Sequence, residues 1–240
     1  MPFEPRPDQP PYVLRTQAAP YQAERADRAF FAAVYRWMAL GLLVTAGVAF
    51  VTANALATGA LPFNKWVFYG LLIAELGLVV AISAMVQRLS AAVAGGLFLL
   101  YAALNGATLS LVLLVYTGAS VAAAFAITAG TFGAMSVYGT VTRRDLTSWG
   151  SFLFMGLFGV VIAGLVNLFL RSDMMSFVIS CASVVVFTGL TAYDTQKLRA
   201  YALQGGPVAA AAPVAGALTL YLDFVNLFLA ILRLVGDRRK

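Results

Sequence analysis

The chain has 240 residues, 61% of them hydrophobic and 11% charged, with a mean hydropathy of +0.86. A soluble domain carries about a quarter charged residues, and one of this length could not hide so much apolar surface in a single core, so a soluble protein is excluded. The net charge of +6 does not point to nucleic acid either, because the basic residues sit singly or in pairs at the edges of apolar runs, as topology-determining residues do.

Residues 1–29 are rich in Pro, Gln and charge and hold no apolar core of signal-peptide type. They predict a disordered cytosolic tail, with residues 30–240 forming a single transmembrane helical domain. Six apolar runs follow, near 31–56, 66–87, 91–116, 119–141, 149–170 and 174–198, and a seventh near 213–235. Each is long enough for roughly 30 Å of hydrocarbon at about 1.5 Å per residue. The connections are short, such as RLS and TGAS, and short links make antiparallel neighbours. The longest link carries Gly205-Gly206-Pro207, which breaks a helix. The fold class is therefore all-α: a polytopic membrane protein, one bundle of seven helices, a full span being favoured for the last segment.

In the second run Glu75 lies mid-span, either bonded to a neighbouring helix or lining a cavity, and Arg88 closes the run. Asn105 and Asn167, in the third and fifth runs, read as interhelical glue. Ala122, Ala126, Gly130 and Ala134 form a small-residue stripe in the fourth run that predicts close helix packing, and Gly156, Gly159 and Gly164 read the same way in the fifth. The single cysteine, Cys181, reads as a small packing residue. The sixth run carries Thr191 and Asp194, and the seventh Asp223 and Asn226.

The positive-inside rule orients the chain with its N-terminus in the cytosol. Ten basic residues before the last segment, among them Arg88, Arg143, Arg144, Lys197 and Arg199, then lie inside, against Lys65 and Arg171 outside. The C-terminal Arg238, Arg239 and Lys240 end outside if the seventh segment spans and inside if it is re-entrant.

Of the ten acidic residues, Glu75, Asp194 and Asp223 alone fall inside apolar runs. A charge at the bilayer centre costs about 2.5–3.5 kcal/mol on insertion scales, so such groups face the bundle interior and find partners. Helix arithmetic puts Asp194 about 9 Å and Asp223 about 12 Å from the same end, on neighbouring antiparallel helices, where they can face one another. Two carboxylates in a poorly hydrated site cannot both ionise cheaply and can share one proton. With no histidine in the chain, this pair is the candidate proton-sensitive element. An arginine beside it would act as a latch. Arg88 is the candidate, although on the residues alone it reads first as an ordinary topology charge. Thr191 and Asn226, one helical turn from the two aspartates, are candidates for polar support.

FTGLTAYDTQKLR (187–199) and ALTLYLDFVNLFLAILRLVG (217–236) resemble the signatures of the Bax inhibitor-1 (transmembrane BAX inhibitor motif) family. VYRWMALGLLVT (34–45), SAMVQRLSA (83–91) and GTVTRRDLTSWGSFLFMGL (139–157) are similar to its bacterial branch. The resemblance implies seven helices with the last one surrounded by the others, and a pH-sensitive calcium leak in the bacterial cytoplasmic (inner) membrane. It implies a di-aspartyl proton sensor at Asp194 and Asp223, a latch at Arg88, and Glu75 as an ion-pathway candidate; by their chemistry the two aspartates would touch Ca²⁺ only weakly and transiently. Ca²⁺ enters as permeant ion; no cofactor and no nucleic-acid partner are expected, and a monomer in the lipid bilayer is favoured. Three carboxylates cannot supply the six to eight oxygen ligands of a tight Ca²⁺ site. Two other readings compete. One is a regulatory membrane protein that acts through a membrane-protein partner, such as a membrane protease or a stress factor. The other is an intramembrane aspartyl protease, for which Tyr193-Asp194 fits one half, but Leu220-Tyr221-Leu222-Asp223 stands where Gly-x-Gly-Asp is expected. The expectation is accordingly a non-enzyme.

Overall fold

The computed structural model describes residues 15–85, 88–203 and 210–239. Among them are seven helices: α1 (Arg15–Ala57), α2 (Lys65–Met85), α3 (Ala91–Val115), α4 (Gly118–Val141), α5 (Thr147–Leu170), α6 (Asp173–Leu203) and α7 (Ala212–Val235). All seven are long and apolar enough to cross a membrane. Each predicted run becomes one helix because a backbone in hydrocarbon must satisfy its own hydrogen bonds.

The breaks are chemical. The Ser90 side chain accepts from Val93 N at 3.3 Å to start α3, and Thr117 accepts from Ser120 N at 3.2 Å to start α4. At the α5–α6 turn Arg171 adopts a left-handed φ of 51°. Asn167 closes that turn, accepting from Ser172 N at 3.0 Å and donating to Ser176 Oγ at 2.7 Å. It ties two helices together as expected of it. Ahead of α5, the Thr147 hydroxyl and backbone N–H hold the Asp145 carboxyl below its ordinary range.

The outer surface is greasy: Phe50, Ile73, Phe158 and Phe169 are all exposed. In water such a surface would drive aggregation; in a bilayer it is the lipid face. α7 is the opposite. Leu218, Leu220, Tyr221 and Leu227 along its length are buried, and it packs against α1, α2, α3, α4 and α6. α5 packs against α6 and faces α7 across a cavity described below.

The chain leaves α7 at the end of the bundle that carries the α3–α4 link. Tyr116 and Arg238 form an antiparallel bridge, Thr117 N donates to Asp237 O at 3.1 Å, and Arg239 N donates to Val115 O at 2.8 Å. The seventh segment thus runs through the whole bundle, and Arg238 and Arg239 lie at the end opposite Arg144 and Lys197. Lys240 lies outside the described residues.

Three expectations need correction. Helix rather than disordered chain occupies residues 15–29, since α1 begins at Arg15. The Ala, Gln, Glu and Arg of this stretch are good helix formers, and they extend a helix already nucleated by the span. Residues 1–14 lie outside the described residues. The stripe Ala122, Ala126, Gly130 and Ala134 is exposed; the packed face of α4 is Ser120, Ala124, Thr128, Phe132 and Ser136. Of the α5 glycines, Gly156 is pressed close to Val186 of α6, while nothing lies near Gly159 or Gly164. Cys181 is half-buried and unpaired.

Candidate functional site

Asp194 and Asp223 come from helices that lie side by side. α6 ends at Leu203 and α7 begins at Ala212, so the carboxylates lie about 14 and 16 Å in from the shared end at ~1.5 Å per residue. Both are deeper than the sequence arithmetic placed them, because both helices extend further. Both are buried, Asp223 to 4% exposure, and the two carboxyls are within hydrogen-bonding reach of each other. A hydrogen bond between two carboxyls needs a proton on one of them. Asp223 Oδ2 is buried and accepts from no donor group among the described residues.

The pair lines a cavity of about 680 Å³ between α2, α5, α6 and α7. Ser83 of α2 and Phe154 of α5 border it, and Asn226 lies at its inner part. Beyond Asn226, Leu227, Ile231 and Leu232 of α7 are buried among apolar neighbours.

The supporting residues fall out differently from the expectation. Thr191 is fully buried, but its hydroxyl donates to Phe187 O of its own helix at 2.8 Å, not to Asp194. Asn226 lines the cavity while its amide donates to Leu222 O at 2.8 Å. Arg88 sits beyond the end of α2, in the turn after Met85, with an exposed side chain that makes no ion pair with either aspartate. The basic residue at the cavity is Lys197. Among the described residues no group of three or more His, Cys, Asp or Glu side chains is placed to hold a metal.

Glu75 belongs to a second polar cluster. It accepts from Asn105 Nδ2 at 3.0 Å and from Thr108 Oγ1 at 2.9 Å. Asn105 Oδ1 accepts from the Tyr221 hydroxyl at 2.9 Å, and that hydroxyl meets Thr45 Oγ1 at 2.6 Å. Thr45 Oγ1 also reaches Ala102 O at 2.9 Å. The chain of bonds links α2, α3, α7 and α1, so the bonded alternative for Glu75 holds. Sequence reading found Glu75 and Asn105 but missed Tyr221 and Thr45; the signal was the apolar setting of Tyr221, mid-span and far from either membrane interface.

Gln196, two residues after Asp194, was also missed as a functional position. Its side chain accepts from Leu146 N and donates to Arg144 O, each at 2.8 Å. It fastens the α4–α5 link to α6 on the helix that presents Asp194. Arg199 lies just beyond, bonded to Thr140 O and paired with Asp27 at 3.6 Å.

Comparison with known proteins gives a consistent picture. A family model described as inhibitor of apoptosis-promoting Bax1 matches residues 27–240. The chain is 51% identical over 215 residues to the inner membrane protein YbhL of Escherichia coli, covering 88% of this chain and 92% of that protein. It is 49% identical over 217 residues to a protein of Deinococcus radiodurans (88% and 91% covered). A protein of Caulobacter vibrioides matches at 40% over 247 residues (94% and 98% covered).

Proposed function

The chain belongs to the Bax inhibitor-1 family of membrane proteins, and on that premise we propose that it is a proton-sensitive cation leak, with Ca²⁺ the permeant ion. The observation that carries the proposal is the meeting of Asp194 and Asp223 in one cavity, one of them on the central helix. A proton held between the two carboxyls ties α6 to α7. Changing the protonation of the pair changes that tie, because two ionised carboxylates in contact repel strongly where water is scarce. The apolar stretch Leu227–Leu232 is the part of α7 that must shift for an ion to pass. The oxygen atoms of two aspartates and Asn226 suit a hard cation, as a weak and passing site rather than a store.

The membrane is the bacterial inner membrane, by likeness to the relative named for that location. The positive-inside rule puts the N-terminus and the cavity end in the cytosol. No step of the leak calls for catalysis, so the function is not enzymatic.

The test is Ca²⁺ flux into liposomes that contain only this protein, read across a pH series. The wild type leaks in a pH-dependent way, and Asp194→Asn with Asp223→Asn flattens the profile. A double variant that kept the full pH dependence would refute the sensor. Liposomes as tight as protein-free ones would refute the leak and leave a regulatory, non-transporting role.

A further inference from the structure

The cavity beside α7 is larger and greasier than passage of a bare ion requires. Its volume, about 680 Å³, lies in the range of sites that enclose drug-sized molecules. Phe154, Leu157, Phe187, Leu190 and Leu222 are among the apolar side chains of its wall, which Asp194 and Asp223 share. Asp223 Oδ2 is a buried acceptor with no donor, on a residue that lines the space and is 4% exposed. A buried acceptor left without a donor is costly, and a cation held in the cavity beside Asp194 and Asp223 offsets part of that cost by its charge.

We infer that this cavity binds amphipathic organic cations, an ammonium group on an apolar body. The ammonium meets the Asp194 and Asp223 carboxyls where they line the space, and the body lies against the aromatic and leucine wall. An ammonium carries three N–H donors on a compact charge, the complement of carboxyl oxygens that share a single proton and keep a negative charge. A metal ion is a poorer match, since no third ligating acid or histidine stands by among the described residues. An anion is a poorer match too. The cavity's basic residue, Lys197, is exposed, and its ammonium lies 5.9 Å from the centre of the Tyr193 ring. The inference concerns occupancy of the cavity and does not depend on ion flux.

Three molecules of one skeleton test it: phenylbutylamine, its hydrocarbon isostere pentylbenzene, and phenylpentanoate. Each is measured by equilibrium dialysis against the full chain in lipid nanodiscs, with protein-free nanodiscs as the blank. The amine binds saturably above the blank, and the other two do not. Asp223→Asn, which keeps the shape and removes the charge, weakens the amine by about tenfold or more, the range for a charge-assisted hydrogen bond. Ala215→Phe, which fills the cavity and leaves both carboxyls, weakens it as well; it decides the matter if the aspartate variant melts abnormally. Equal binding of amine and hydrocarbon would show partition into grease and overturn the inference. So would preferential binding of the carboxylate that Lys197→Met abolishes, or an amine affinity untouched by both cavity variants.

Discussion

Tyr221 and Asp223 are two positions apart on α7 and so face different neighbours, one toward α1 and α3 and the other toward α6. The aspartate was legible in the sequence because a carboxyl in an apolar run has no bland explanation. The tyrosine was not, because an aromatic residue in the middle of a span is readily read as apolar core. Its hydroxyl is what distinguishes it: the residue is fully buried, and a buried phenol needs a partner. Tyr221→Phe keeps the edge-on contacts with Phe98 and Tyr101 at 5.6 and 5.8 Å between ring centres. It leaves Asn105 Oδ1 without its donor. A loss of about 1–2 kcal/mol is expected, in the range for interhelical hydrogen bonds in membranes, seen as a lower unfolding temperature in detergent. An unchanged melt would mean that the cluster around Glu75 does not hold α7.

The seven spans were legible because hydrocarbon demands long uninterrupted apolar helices. Which face of each helix is packed was not, since lipid and core are equally apolar and no alternation marks the boundary. α4 shows the cost. Its uninterrupted stripe of small residues is the outer one, and the packed face mixes Ser120, Ala124, Thr128 and Ser136 with Phe132. Close approach shows instead at Gly106 of α3. A Cβ there would sit 2.6 Å from Thr45 O and 2.9 Å from Val48 Cβ of α1. That contact brings Thr45 within reach of Ala102 O and Tyr221. Gly106→Leu is therefore expected to destabilise the bundle by at least the ~1–3 kcal/mol of overpacking. Gly130→Leu, on the outer stripe with nothing within 4 Å, is expected to change stability by less than about 0.5 kcal/mol. Paired thermal melts check both; equal losses in the two variants would put the α1–α3 crossing in doubt.

At the scale of the molecule, the open point in the sequence was the C-terminus. Charge counting pulled the basic tail toward the N-terminal side, while the length of the last run favoured a full span. The structure decides for the span through backbone bonds that charge patterns do not encode, from Thr117 and Val115 to the tail after α7. Ser120 Oγ adds to them by accepting from Asp237 N at 2.9 Å. The tail is thereby fixed at the α3–α4 end, and its basic residues are the exception to a bias carried by the other links. Charges after the last helix follow that helix, so they do not outweigh the earlier ones. The two ends of the bundle should then label from opposite sides of the membrane. In a Cys181→Ala background, a cysteine in place of exposed Arg144 reacts with an impermeant maleimide in inside-out vesicles, and one in place of exposed Arg239 reacts in right-side-out vesicles. Labelling of both from one side would mean that α7 turns back within the bilayer, and the central position of Asp223 would fall with it.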